Sequence, residues 1–107
     1  MMNTQTIITD FTQHIQAMLQ DNLLSAYLFG SYNSNHWNME SDIDILLIVN
    51  SFDPTLRRQL SALASDYALE WGLIFSPIIK DKQVWAKNEY YKTLFYQEVM
   101  QKGIKLC

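Results

Sequence analysis

The chain has 107 residues, 49% of them apolar and 13% aromatic, enough to build the core of one domain spanning residues 1–107. Its net charge of −3 argues against generic nucleic-acid binding, which draws on a surplus of Lys and Arg to release counterions, and leaves room for a small anion neutralised by a metal. Cys107 is the sole cysteine, no basic-then-apolar leader opens the chain, and the longest aliphatic run, Ile45 to Val49, is too short to cross a bilayer, so a cytoplasmic protein with no membrane partner is expected.

Taken in chain order, Ile7, Ile8, Phe11, Ile15, Met18 and Leu19 recur at helical spacing and predict an amphipathic helix from about Thr4 to Asp21. Leu24 to Phe29 then reads as a strand that runs into Gly30-Ser31. Tyr32 to Ser41 is rich in Asn and Ser, a composition of turns. Asp42 to Val49 is the strongest strand signal, nearly continuous in branched apolar residues, as expected of a strand covered on both faces. Asp53-Pro54 reads as an N-cap followed by proline at the first helical position, with Leu56, Leu60, Leu63, Tyr67 and Trp71 forming the inner stripe and Gly72 the stop. Leu73 to Ile79 is a third strand, which Pro77 assigns to an edge or a bulge. A last helix is expected over Asn88 to Gln101, with Tyr91, Leu94, Phe95 and Val99 inward, Gly103 ending it and Ile104 to Cys107 forming a short strand. Helices alternating with strands predict a layered α/β domain.

Asp44 is the most informative residue. It stands between Ile43 and Ile45 at the start of a strand expected to be buried, where an unpaired carboxylate is costly to desolvate. Asp42 lies two residues earlier, so strand periodicity puts both carboxylates on one face. Two such charges repel unless a cation lies between them, and hard divalent cations favour oxygen ligands. From Asp-x-Asp alone, a strand-start cap beside a solvent-facing carboxylate accounts for the pair equally well. Gly30-Ser31 shifts the balance: a strand ending in Gly-Ser allows close backbone approach and offers amide and hydroxyl donors to a phosphate.

Gly30-Ser31, ten intervening residues and then Asp42-x-Asp44 leading into an aliphatic strand together resemble the signature of the nucleotidyltransferase superfamily related to DNA polymerase beta. Tyr27-Leu-Phe-Gly-Ser-Tyr32, Phe75-Ser-Pro-Ile-Ile79 and the ending Tyr96 to Ile104 narrow the likeness to the minimal nucleotidyltransferases, from about Leu24 to Ile104. The resemblance implies an α/β (α+β) fold with a small mixed sheet flanked by helices. It implies that Gly30 and Ser31 hold the triphosphate of ATP or another nucleoside triphosphate, and that Asp42 and Asp44 are the catalytic pair that binds Mg²⁺. It further implies transfer of AMP to a hydroxyl, a tyrosine of a HEPN-domain partner, in an antitoxin role. Two departures stand out. The basic residue that the family carries soon after Gly-Ser is missing from Tyr32-Asn33-Ser34-Asn35-His36, and Ile74 stands about where a third carboxylate, often the general base, is expected. These departures support an alternative, a catalytically degenerate module that neutralises or scaffolds its partner by contact.

Other polar and aromatic residues have plainer readings. His14 is an exposed helix residue, His36 a loop histidine, and Trp37 core or rim packing. Trp71 and Trp85 are core residues, and Tyr90, Tyr91 and Tyr96 are partly buried packing.

Overall fold

Asn3 caps helix α1 (Thr4–Leu19) by accepting a hydrogen bond from the Thr6 backbone N–H at 2.8 Å, which satisfies one of the orphan donors at its start. The computed structural model describes residues 3–29 and 42–107. A single 3-10 turn, Gln20–Asn22, leads from α1 into β1 (Leu23–Phe29). Then come β2 (Ile43–Val49), α2 (Pro54–Trp71), β3 (Phe75–Asp81), α3 (Lys82–Tyr91), α4 (Leu94–Lys102) and β4 (Ile104–Lys105). The four strands form one sheet in the order β3-β2-β1-β4. β2 and β3 are parallel, while β1 is antiparallel to both β2 and β4, so the sheet is mixed, as expected.

Alternation along β2 divides the core between the two faces of the sheet. Ile43, Ile45, Leu47 and Val49 join Ile7, Ile8, Phe11 and Ile15 of α1 and Leu56, Leu60 and Tyr67 of α2 in one buried cluster. Leu46 and Ile48 point the other way, into a second cluster with Phe29 and Val99, against which Trp85 and Phe95 pack. β2 is therefore covered on both faces, which is why its sequence is almost uninterrupted in Ile, Leu and Val.

α2 follows its sequence signals closely. The Asp53 carboxylate accepts from the Leu56 N–H at 3.1 Å, Pro54 occupies the first turn, and Gly72 closes the helix in the left-handed region at φ 71°. β3 starts two residues later than expected, and Pro77 lies on it at the sheet edge, where a missing donor is tolerated.

The C-terminal region corrects the expected single helix over Asn88 to Gln101. There are two helices, and the chain breaks at Lys92, whose φ of 49° is left-handed. Local polar groups make the break. Asp81 caps α3 by accepting from the Val84 N–H at 2.8 Å. Thr93 caps α4 through the Tyr96 N–H at 3.2 Å and donates to the Asn88 side chain at 2.7 Å. The change of direction turns Tyr91 and Leu94 outward, 71% and 84% exposed, against the inward positions expected of them. Trp71 also departs from its expected core place and is 36% exposed. Phe95 and Val99 do face inward, and Trp85 is half-buried with its ring edge-on to Phe95.

Candidate active site

β2 enters the sheet with Asp42 just outside it and Asp44 as its second residue. Because Ile43 and Ile45 are held in the α1/α2 core, Asp44 must project from the opposite face, the one lined further along by Leu46 and Ile48. The antiparallel ladder pairs Asp44 with Phe29, the last residue of β1, and the parallel ladder pairs it with Ser76 of β3. Asp44 thus sits in the middle of three strands and is half-buried, while Asp42 at the rim is exposed.

β3 meets this end of β2 tightly. The Ile43 N–H donates to the Ile74 carbonyl at 2.8 Å, and the Ser76 hydroxyl donates to Oδ2 of Asp42 at 2.8 Å. Ile74, the position where a third acid was expected, is 49% exposed, and it is Ser76 that bonds the Asp42 carboxylate.

The Asp44 carboxyl is pushed above the ordinary aspartate range, first by burial, next by the charge of Asp42 and then by that of Glu98. Glu98 belongs to α4, and its neighbour Val99 is fully buried in the cluster with Phe29 and Leu46, which brings α4 over the Asp44 face. Glu98 also borders a shallow groove of about 370 Å³ along α4 with Leu94, Gln97, Gln101 and Lys102. A second cavity, about 210 Å³ and lined by Phe52, Arg57, Ile79, Lys80, Asp81 and Val84, lies at the far end of β3 and contains neither carboxylate.

A half-buried carboxylate raised by burial and by two carboxylate neighbours is a negative site made of hard oxygen donors. That chemistry fits a divalent cation of the Mg²⁺ type. Among the described residues no group of three or more His, Cys, Asp or Glu side chains is arranged to hold a metal, and the two carboxylates at this place are Asp42 and Asp44. Gly30 and Ser31, the expected phosphate-binding pair, lie outside the described residues, as do His36 and Trp37. Asp42 and Asp44 are brought together as their spacing required.

Two neighbours of the pair escaped the sequence reading. Ser76 was legible only as the polar residue in Phe75-Ser-Pro-Ile-Ile79, because its partner depends on the β2–β3 register. Glu98 gave no local signal. His14 is 57% exposed, as expected, yet its Nδ1 lies 2.6 Å from the Tyr67 hydroxyl, which in turn donates to Asp10.

A small mixed sheet with paired carboxylates at the start of its central strand defines a type of domain seen elsewhere. The model of the family described as "Polymerase beta, Nucleotidyltransferase" matches residues 13–107. The chain belongs to this nucleotidyltransferase family. It is 35% identical over 102 residues to MJ0141 of Methanocaldococcus jannaschii, named as a protein adenylyltransferase, covering 94% of this chain and 95% of the relative. Among solved structures, a mutant of the toxin–antitoxin MntA–HpeT aligns with a TM-score of 0.62 at 20% identity, over 92% of this chain and 72% of the other. A tri-AMPylated HEPN toxin in complex with its MNT antitoxin, from Shewanella oneidensis, aligns with a TM-score of 0.59 at 21% identity, over 97% of this chain and 72% of the other. These two structural likenesses speak for the fold.

Proposed function

We propose that this nucleotidyltransferase moves AMP from ATP, with Mg²⁺, onto a tyrosine hydroxyl of a HEPN-domain partner and so acts as its antitoxin. The observation that carries the reading is the placement of Asp42 and Asp44 on one face of β2 beside the end of β1, in a charge environment that calls for a cation. The protein-adenylyltransferase name of the 35% identical relative supports the acceptor class, and the HEPN complexes among the fold neighbours support the partner.

In this reading Asp42 and Asp44 hold Mg²⁺, and Gly30 and Ser31 bind the triphosphate. Phe29 is the register partner of Asp44, so β1 ends at the carboxylate end of the sheet. A bound Mg²⁺ would supply neutralisation of phosphate charge as pyrophosphate leaves. The chain's own work is positional: it fixes two carboxylates against the mouth of the strand pair and keeps one of them half-shielded from water. The acceptor oxygen attacks the α-phosphorus, the bond to pyrophosphate breaks, and the phenolic proton passes to solvent or to a base.

The test mixes the protein with ATP, Mg²⁺ and a candidate HEPN-domain partner, and weighs the partner by intact mass spectrometry. One or more AMP additions are expected, on tyrosine, and none with the Asp42→Asn, Asp44→Asn double variant. A stable complex whose partner stays unmodified would replace enzymatic neutralisation with neutralisation by contact.

A further inference from the structure

The geometry points to Ser76 as a positioning residue that holds Asp42 in the rotamer needed for metal binding, a role that rests on the nucleotidyl-transfer reading above. Asp42 lies outside the strand and is exposed, so its side chain does not inherit the order of the sheet. Ordering an exposed carboxylate to capture a cation costs rotamer freedom. Ser76 offsets part of that cost in advance: its Oγ donates to Oδ2 of Asp42 at 2.8 Å, a bond that favours one rotamer.

Ser76 is itself firmly placed. It pairs with Asp44 in the parallel ladder, and the Ile43 N–H to Ile74 carbonyl bond fastens the two strands just ahead of it. Pro77 follows directly, and a residue before proline is confined to extended backbone, which fixes where the Ser76 side chain leaves the strand. One side chain on β3 is thus in register with one carboxylate and bonded to the other. A hydroxyl suits the position because it orients a carboxylate without adding a third negative charge beside Asp44, which burial and two carboxylates already push above the ordinary range.

The experiment uses the full chain with Mn²⁺ as probe, in the presence of a non-hydrolysable ATP analogue, and follows free Mn²⁺ by electron paramagnetic resonance. Ser76→Ala is expected to weaken Mn²⁺ binding by about tenfold, a loss typical of partners that orient metal ligands. Its thermal midpoint should match that of wild type. Ser76→Cys, close in size and a weak donor, should behave like Ala, and it carries the test if the Ala variant does not fold. Equal Mn²⁺ affinity in wild type and variants overturns the inference, as does a loss of affinity that only tracks a loss of thermal stability. A wild type that binds Mn²⁺ but leaves every partner unmodified overturns the proposed transfer while the role of Ser76 stands. A wild type that binds no Mn²⁺ overturns both.

Discussion

Glu98 of α4, the helix packed over the same face of the sheet, adds its negative field to Asp44 of β2. The raised carboxyl of Asp44 makes ionisation at this place unfavourable to folding. A group whose folded-state pKa lies above its unfolded value contributes fully below the unfolded value, here 3.8, and loses that contribution as pH rises through the folded value. At neutral pH the charged Asp44 therefore costs stability.

Asp44→Asn should accordingly stabilise the metal-free protein at pH 7. Solvent still reaches the carboxylate, so the gain is about 1 kcal/mol at most, roughly 4 °C in thermal midpoint. Adding Mg²⁺ with ATP should raise the midpoint of wild type and leave that of the variant unmoved. Scanning calorimetry with and without the ligands checks both. An Asn variant less stable than wild type at pH 7 would show that the Asp44 charge is compensated.

Glu98→Gln removes one source of the repulsion while keeping the side-chain size. The Asp44 carboxyl should titrate lower than in wild type, the shift being smaller than that from Asp42→Asn because Asp42 is the stronger of the two charge sources. Carboxyl-detected NMR titration reads this directly. An Asp44 titration unchanged in the Gln variant would mean that α4 does not approach the site closely.

Tyr67 offers a separate pH signature on the other face of the sheet. Its ring is buried edge-on against Phe11 and Phe75, while the hydroxyl reaches Asp10 and His14 at the rim, which are 43% and 57% exposed. Because the single phenol proton goes to Asp10, His14 Nδ1–H is left to donate to the phenol oxygen. Burial first, then the Asp10 hydrogen bond and charge and the Glu70 charge, push the phenol well above its ordinary 10.0. The protonated phenol thus contributes stability that is complete below pH 10 and is lost as pH climbs beyond it. Tyr67→Phe should cost about 1 kcal/mol at pH 7 through the lost hydrogen bonds, and the gap to wild type should narrow above pH 10. Urea unfolding at pH 7, 9 and 11 tests the trend, which a constant gap would refute.

Gly103 joins α4 to β4, and a Cβ built there would collide with the carbonyl oxygen of Val99. That oxygen accepts the Gly103 N–H at 2.8 Å, so neither group can yield without breaking the helix end. Gly103→Ala should lower stability by about 2 kcal/mol with little change in the denaturant slope. It should also loosen the pairing of Ile104 and Lys105 with β1, visible as faster amide exchange at Leu28. A neutral substitution would show that the α4–β4 junction tolerates displacement.

The local sequence determined a good part of this protein. Asp53-Pro54 and Gly72 delimit α2 because capping and left-handed backbone are properties of a few adjacent residues. The apolar run after Asp42 could only be a strand covered twice, and the period of two placed Asp42 and Asp44 on one side of it. The Gly-Ser and Asp-x-Asp spacing pointed to the nucleotidyltransferase family that the match over residues 13–107 shows. Tertiary structure decided what surrounds the carboxylates. Strand register is a collective property, set when the faces of β2 bury against two helical layers, so nothing local could say that Ser76 pairs with Asp44 and bonds Asp42. The break at Lys92 depended on the competition between helix continuation and the Thr93 and Asn88 side chains. That break directs α4 so that Val99 is buried beside Phe29 and Glu98 comes to act on Asp44, a long-range electrostatic effect with no trace in the spacing of residues.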